Sequence, residues 1–289
     1  MIQEIIKVKA TDGVSLDGFI NKCEAGTKKV LIQIHGMTGN CYKNREKVIS
    51  QKLINMNIDS ICFNNRGSEV VKFIKDQNGE KRLAGSAYEE ISESYYDVCG
   101  MIQFALDRGY EEIYIQGHSL GCTKAVYVYN RLLQEKSPYV KNIKALILLS
   151  LVDLPKVIEK IGKDKIPYAK QLIEEGKEDT IINEKGFSYP LSAKTILRYI
   201  NGKDIDFARF GCEEYDFEVL NSFEIPLFFR WGNVDEILSM EVNEQVDFVK
   251  RKIHNNNLDV GFIDGANHSY LNKEEQLANE VAAFLVKNC

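Results

Sequence analysis

The sequence predicts an α/β protein with a mostly parallel eight-stranded sheet and helices on both faces. Three observations carry that prediction. Short apolar runs alternate with segments of helical spacing along most of the 289 residues, as strands joined by crossover helices would. One run, 113–116, breaks into Gly117-His118-Ser119-Leu120-Gly121 and passes at once into a helical pattern. Residues 151–222 then interrupt the alternation with charged helical segments and no strong strand, too long a stretch for a simple crossover. The chain therefore divides into a core, 1–150 and 223–289, and a helical insertion, 151–222.

In order, 2–8 and 14–20 read as strands joined by Thr11-Asp12-Gly13. Asp-Gly between β-rich runs marks a hairpin, adding antiparallel strands at one edge. Residues 30–34 are almost continuously apolar, as a strand buried on both faces requires. They run into His35-Gly36-Met37-Thr38-Gly39, and 42–55 has helical spacing through Val48, Leu53 and Ile54. The strand 59–63 stops at Asn64-Asn65-Arg66-Gly67, and a polar connection follows with a turn at 76–79. Residues 89–106 predict one long helix, its stripe formed by Ile91, Tyr95, Val98, Ile102 and Ala105. Gly109 closes it. Next come a helix over 123–134, a strand over 144–149, and helical segments 156–175 and 192–200 within the insertion. A strand over 226–231, a helix over 242–253, a strand over 258–263 and a helix over 274–286 complete the chain.

Composition excludes several classes. Hydrophobic content of 44% with 27% charged residues is that of a soluble globular protein. A net charge of −5 without a basic stripe argues against a nucleic-acid partner. The seven cysteines, at 23, 41, 62, 99, 122, 212 and 289, form no Cys-x-x-Cys pair and no Cys/His cluster of metal-ligand spacing. No metal is expected, and free thiols in a reducing cytoplasm are. Glu4, Lys7 and Lys9 leave no signal-peptide core in the first ten residues. The longest apolar stretch, 145–152, is too short to insert in a membrane.

Gly-x-Ser-x-Gly between a strand and a helix is the nucleophile-elbow signature, with Ser119 held above the sheet. In an open α/β sheet, functional groups collect beyond the carboxyl ends of the strands. Those ends here carry His35-Gly36-Met37, Asn64-Asn65-Arg66-Gly67, Ser119, Asp153, Gly232-Asn233-Val234-Asp235-Glu236 and Asp264-Gly265-Ala266-Asn267-His268. A nucleophile, an acid and a histidine follow one another in that order. The arrangement resembles the α/β-hydrolase superfamily over nearly the whole chain. The resemblance implies Ser119 as nucleophile, Asp235 as acid and His268 as base. It further implies the backbone amides of Met37 and Leu120 as an oxyanion hole, and 151–222 as a cap. Asn64-Asn65-Arg66-Gly67 with Gly85-Ser86-Ala87-Tyr88-Glu89 also resembles a siderophore-esterase-like branch of that superfamily.

Chemistry points the same way. A serine hydroxyl attacks at neutral pH only when a base takes its proton, and imidazole is the side chain that titrates there. Of the four histidines, His118 adjoins Ser119, where its side chain should turn away. His254 lies late in a charged helix, and His35 belongs to the oxyanion loop in a structural role. His268 remains, in a short loop free to swing its ring over the sheet edge. For the acid, Asp235 is preferred over Asp153, which stands at the strand end one position earlier, where some members of the superfamily that the chain resembles carry the acid. Asp153 reads at least as well as the cap of a helix near Pro155; Asp264 is read as a turn residue and Glu236 as a surface residue. Arg66 is expected to make structural hydrogen bonds rather than bind an anion. Phe187, Tyr189, Tyr199, Phe207 and Phe210 are available to line an acyl or aryl pocket or to pack the insertion onto the core. The expected activity is hydrolysis of a small or medium-sized carboxylic ester through an acyl-enzyme, without metal or organic cofactor. A thioesterase or acyltransferase would use the same groups, and a non-catalytic binder could have kept the fold.

Overall fold

A computed structural model describes residues 2–75, 78–183 and 189–288. Two of the residues in the expected turn, Asp76 and Gln77, and the aromatic candidate Phe187 lie outside the described residues. The chain opens with β1 (Ile2–Lys9) and β2 (Ser15–Lys22), an antiparallel hairpin in register from Ile2 opposite Lys22 to Lys9 opposite Ser15. Gly13, at φ +86°, sits in its turn. Then come β3 (Lys29–Ile34), α1 (Asn44–Ile54) and β4 (Asp59–Asn64). The polar connection after β4 holds a small antiparallel hairpin, β5 (Lys72–Lys75) and β6 (Lys81–Ala84), apart from the main sheet. Four-residue strands with so many charges give too short a period-2 signal to be read from sequence.

The helix expected from 89 starts five residues later, as α2 (Ser94–Asp107). Glu89 is extended (φ −67°, ψ 133°), and its carboxylate meets Lys124 Nζ at 2.5 Å with both side chains buried. That inward pull keeps the residue out of helical geometry. The next elements are β7 (Glu112–His118), α3 (Leu120–Gln134) and β8 (Ile143–Leu149). The expected helix 156–175 is two helices, α4 (Leu154–Gly162) and α5 (Ile166–Glu174). Pro167 lacks the N–H that an unbroken helix would use and suits a first turn, so a new helix starts there after Gly162. A two-residue ladder, β9 (Ile181–Ile182) with β10 (Leu191–Ser192), precedes α6 (Ala193–Asn201) and α7 (Glu218–Asn221). The chain closes with β11 (Leu227–Gly232), α8 (Val242–Lys252), β12 (Leu258–Ile263) and α9 (Glu274–Asn288).

The sheet order is β1-β2-β4-β3-β7-β8-β11-β12. From β4 to β12 every pairing is parallel, and β2 is antiparallel to both its neighbours. Alternation sorts the side chains. Leu31, Tyr114, Ala145, Ile147 and Phe228 join α1 and α9 on one face. Val30, Ile32, Ile115, Leu146 and Phe229 join α2, α3 and α8 on the other. The apolar runs are continuous because both faces are covered. Each valine, leucine, isoleucine or phenylalanine among them, fully buried, stabilises the fold by about 1.5–3 kcal/mol. A third cluster, with Leu154, Ile158, Leu172, Ile196 and Tyr199, lies over Leu120 at the start of α3.

Candidate active site

Ser119 links β7 to α3 at φ +54° and ψ −124°. A non-glycine residue held there carries about 1–3 kcal/mol of strain, which only surrounding contacts can enforce. Those contacts are on both sides. A side chain on Gly117 would run into the Gly121 carbonyl, and one on Gly121 into the Ile34 carbonyl. The turn closes this tightly only with glycine at both places. The Ser119 N–H donates to Leu149 O at 2.8 Å, fixing the elbow to β8.

The loop after β3 lies against the elbow. A Cβ on Gly36 would stand 3.0 Å from Ser119 Cβ, and Gly39 N–H closes a turn onto Gly36 O at 3.1 Å. His35 is buried; the Asn65 N–H donates to its Nε2 at 3.2 Å, so Nδ1 holds the proton and donates to Gly36 O at 2.9 Å. Burial pushes its pKa down to about 3, which keeps the ring neutral. The structural role expected for His35 holds. Met37 and Leu120 border the same cleft as Ser119, and neither backbone N–H is donated to a protein acceptor among the described residues.

His268, in the loop after β12, places Nδ1 2.9 Å from both oxygens of Asp235 in the loop after β11. A carboxylate accepts, so Nδ1 carries a proton and donates to Asp235. Asp235 is itself oriented by the Ile237 N–H at 2.8 Å. Both carboxylate and ring are buried. The main chain of His268 is held as well: its N–H donates to Glu236 Oε2 at 3.2 Å, and its carbonyl receives the His118 Nε2–H at 2.8 Å. Glu236 is exposed as expected, yet it makes this contact. His118 departs from expectation, since its ring borders the cleft and lies 5.0 Å from the His268 ring, centroid to centroid. Sequence reasoning also missed Ser150 (φ +52°), whose hydroxyl donates to Tyr270 Oη at 3.0 Å, and Tyr270, which donates to Arg230 O at 2.7 Å. No short-range sequence pattern marks such partners.

The other candidates are occupied elsewhere. Asp153 is fully buried as the N-cap of α4, accepting from the Lys156 N–H at 3.2 Å and the Phe210 N–H at 3.1 Å. Asp264 accepts from Asn233 Nδ2, and His254 is exposed just past α8. Arg66 is buried between Asp97 (2.7 Å) and Asp12 (2.9 Å), pinning the end of β4 to α2 and the first hairpin. Its role is structural.

Ser119 and His268 border one cleft of about 310 Å³. No hydrogen bond joins Ser119 Oγ to His268 among the described residues; in unliganded sites this contact is often long. Leu154, Val157 and Ile158 of α4, with Leu191, Ile237 and Leu271, give the cleft apolar lining, and Lys43, Asn44, Arg45 and Glu274 add polar groups to it. Of the aromatic candidates, Tyr189 borders the cleft. Tyr199 is buried in the cluster over α3, while Phe207 and Phe210 join the main core, Phe210 edge-on to Trp231 at 5.7 Å.

No protein-family model matches the chain, and no curated protein matches it either. Solved structures do. The ferulic-acid complex of Est1E from Butyrivibrio proteoclasticus superposes with a TM-score of 0.69 at 16% identity, covering 97% of this chain and 98% of that one. The esterase Pf2001 of Pyrococcus furiosus gives 0.62 at 19% identity over 99% and 91%. The α/β hydrolase GrgF from Penicillium sp. sh18 gives 0.68 at 12% identity over 100% and 99%. Sheet order, elbow and end-to-end superposition agree: the chain has the α/β-hydrolase fold.

Proposed function

We propose that this protein is a serine hydrolase that cleaves carboxylic esters with an apolar acyl group. The observation that carries the reading is the Asp235–His268 pair, closed at 2.9 Å on the rim of the cleft where Ser119 stands on its strained turn. Ser119 Oγ attacks the ester carbonyl while His268 Nε2 takes its proton, and Asp235 holds the ring in that tautomer and stabilises the imidazolium. The Met37 and Leu120 amides receive the oxyanion, each donor contributing roughly 10²–10³ in rate. Collapse expels the alcohol, protonated by His268, and leaves an acyl-enzyme. Water activated by the same imidazole then releases the acid and regenerates Ser119.

Residues 151–222 act in this reading as a cap, with α4 supplying the wall against which the acyl chain packs. Each methylene buried there contributes about 0.8 kcal/mol. On that basis kcat/KM rises up to about fourfold per methylene until the cleft is filled. The six described cysteines are unpaired, five of them buried, which fits a cytoplasmic setting. Among the described residues no helix is long and apolar enough to cross a membrane.

The deciding experiment measures turnover of nitrophenyl acetate, butyrate and hexanoate by the unaltered chain and by Ser119→Ala. Loss of turnover in the variant, with fluorophosphonate labelling confined to Ser119, is the expected result. Retained turnover in Ser119→Ala dismisses the mechanism.

A further inference from the structure

The two ends of the proposed proton path are joined by a residue that takes no part in it. His118 is the last residue of β7 and the chain neighbour of Ser119. Its ring is buried, with Nε2 2.8 Å from the His268 carbonyl oxygen. A carbonyl accepts, so Nε2 carries the proton and is committed to that bond. Burial, reinforced by the nearby Arg45 and His268, holds the ring far below its ordinary pKa and keeps it neutral. It is therefore a poor second base and a steady donor.

Asp235 fixes how the His268 imidazole is turned, because it grips Nδ1. Where the ring stands along the cleft depends on the main chain that carries it. The N–H of that residue is held from the exposed side by Glu236, and its carbonyl from the buried side by His118. The Ser150 hydroxyl stands 3.5 Å from the same carbonyl oxygen, a longer contact than that of His118, and Ser150 and Tyr270 bond to one another and to Arg230 O, backing the loop against β8 and β11.

We propose that His118 is a positioning residue: by holding the His268 carbonyl from the place next to Ser119, it sets the separation of nucleophile and base. The inference rests on the hydrolase reading. Misplacement of a reacting group by about 1 Å can cost roughly 100-fold in rate, so the His118 bond, at 2.8 Å the shorter of the two this carbonyl accepts, controls kcat.

The test is kinetic, on the full chain with a nitrophenyl ester. His118→Leu removes the donor at similar volume and is expected to lower kcat roughly 10- to 100-fold, with KM within about twofold. His118→Gln, whose amide N–H stands in for Nε2–H, is expected to recover kcat to within about threefold of the unaltered chain. A folded leucine variant with unchanged kcat, or folded variants equally impaired, overturns the positioning role. Should the leucine variant not fold, the glutamine variant decides alone: folded with kcat recovered upholds the role, folded with kcat lost overturns it. Ring-nitrogen NMR of the unaltered chain needs no variant. A proton fixed on Nε2 from about pH 6 to about pH 9 supports the proposal; a ring that titrates there, or is protonated on Nδ1 instead, overturns it. An unlabelled Ser119 together with an active Ser119→Ala chain overturns the hydrolase reading and this inference with it. A labelled Ser119 beside an indifferent His118→Leu overturns the inference only.

Discussion

The loops that follow β8 and β11 make a controlled comparison. Each leaves a neighbouring parallel strand at its carboxyl end, and each presents a buried aspartate, Asp153 in one and Asp235 in the other. Asp153 spends both oxygens on backbone N–H groups, those of Lys156 and Phe210. Asp235 gives one lone pair to the Ile237 N–H and turns both oxygens to His268 Nδ1. The first carboxylate holds up its own loop and helix; the second serves a side chain on another strand's loop. Residue type, strand-end position and burial do not distinguish them. What differs is that a helix begins at once after Asp153 and takes one oxygen, while the Phe210 N–H takes the other.

The largest effect that bears on this contrast is catalytic. Asp235→Asn is expected to lower kcat about 10⁴-fold by favouring the wrong tautomer of His268, while Asp153→Asn keeps kcat within about threefold. Steady-state assays of both variants check it, and comparable losses would break the comparison. Stability should show the reverse order. Asp153→Ala orphans the buried Phe210 N–H and the half-buried Lys156 N–H and so uncaps α4, an expected loss of about 1–3 kcal/mol in urea unfolding. Asp235→Ala orphans the Ile237 N–H and the His268 Nδ1–H but uncaps no helix, and the freed imidazole can turn towards the cleft, so it is expected to cost less.

The histidines sharpen the contrast through pH. His35 has a folded-state pKa of about 3 against an ordinary value of 6.5, so the unfolded chain binds its proton first. The stability this neutral ring contributes is complete above about pH 6.5 and is lost as pH falls from there towards 3, by up to about 1.4 kcal/mol per unit. His118, also held well below its ordinary value by burial, acts in the same direction. Denaturant unfolding at several values across that window measures the slope, which His35→Asn is expected to flatten. The smallest effect concerns the second acid of the β11 loop. Glu236→Gln keeps an oxygen for the His268 N–H and is expected to change kcat by less than about threefold; a loss approaching that of Asp235→Asn would assign the loop's role to the wrong acid.

Much of the fold is legible in the amino-acid sequence. The eight strands, the antiparallel hairpin at one edge and the Gly-His-Ser-Leu-Gly turn all follow from side-chain period and turn sterics, which act over a few residues. The boundaries that differ have tertiary causes. Glu89 leaves its helix for Lys124, and the small hairpin at 72–84 is too short and too charged to announce itself. At the site, spacing puts Ser119, Asp235 and His268 at strand ends, while the part played by His118 stays hidden.

By itself, then, the sequence determined the layered sheet, the sharp turn at Ser119 and the short list of side chains at the strand ends, because each is set by neighbours in the chain. Only the tertiary structure decided that Asp235 rather than Asp153 meets His268, across a separation of 33 residues, and that His118 reaches its carbonyl across 150. Those contacts depend on strand order and on where each loop comes to rest, and a hydrogen bond within about 3 Å carries no trace in local composition.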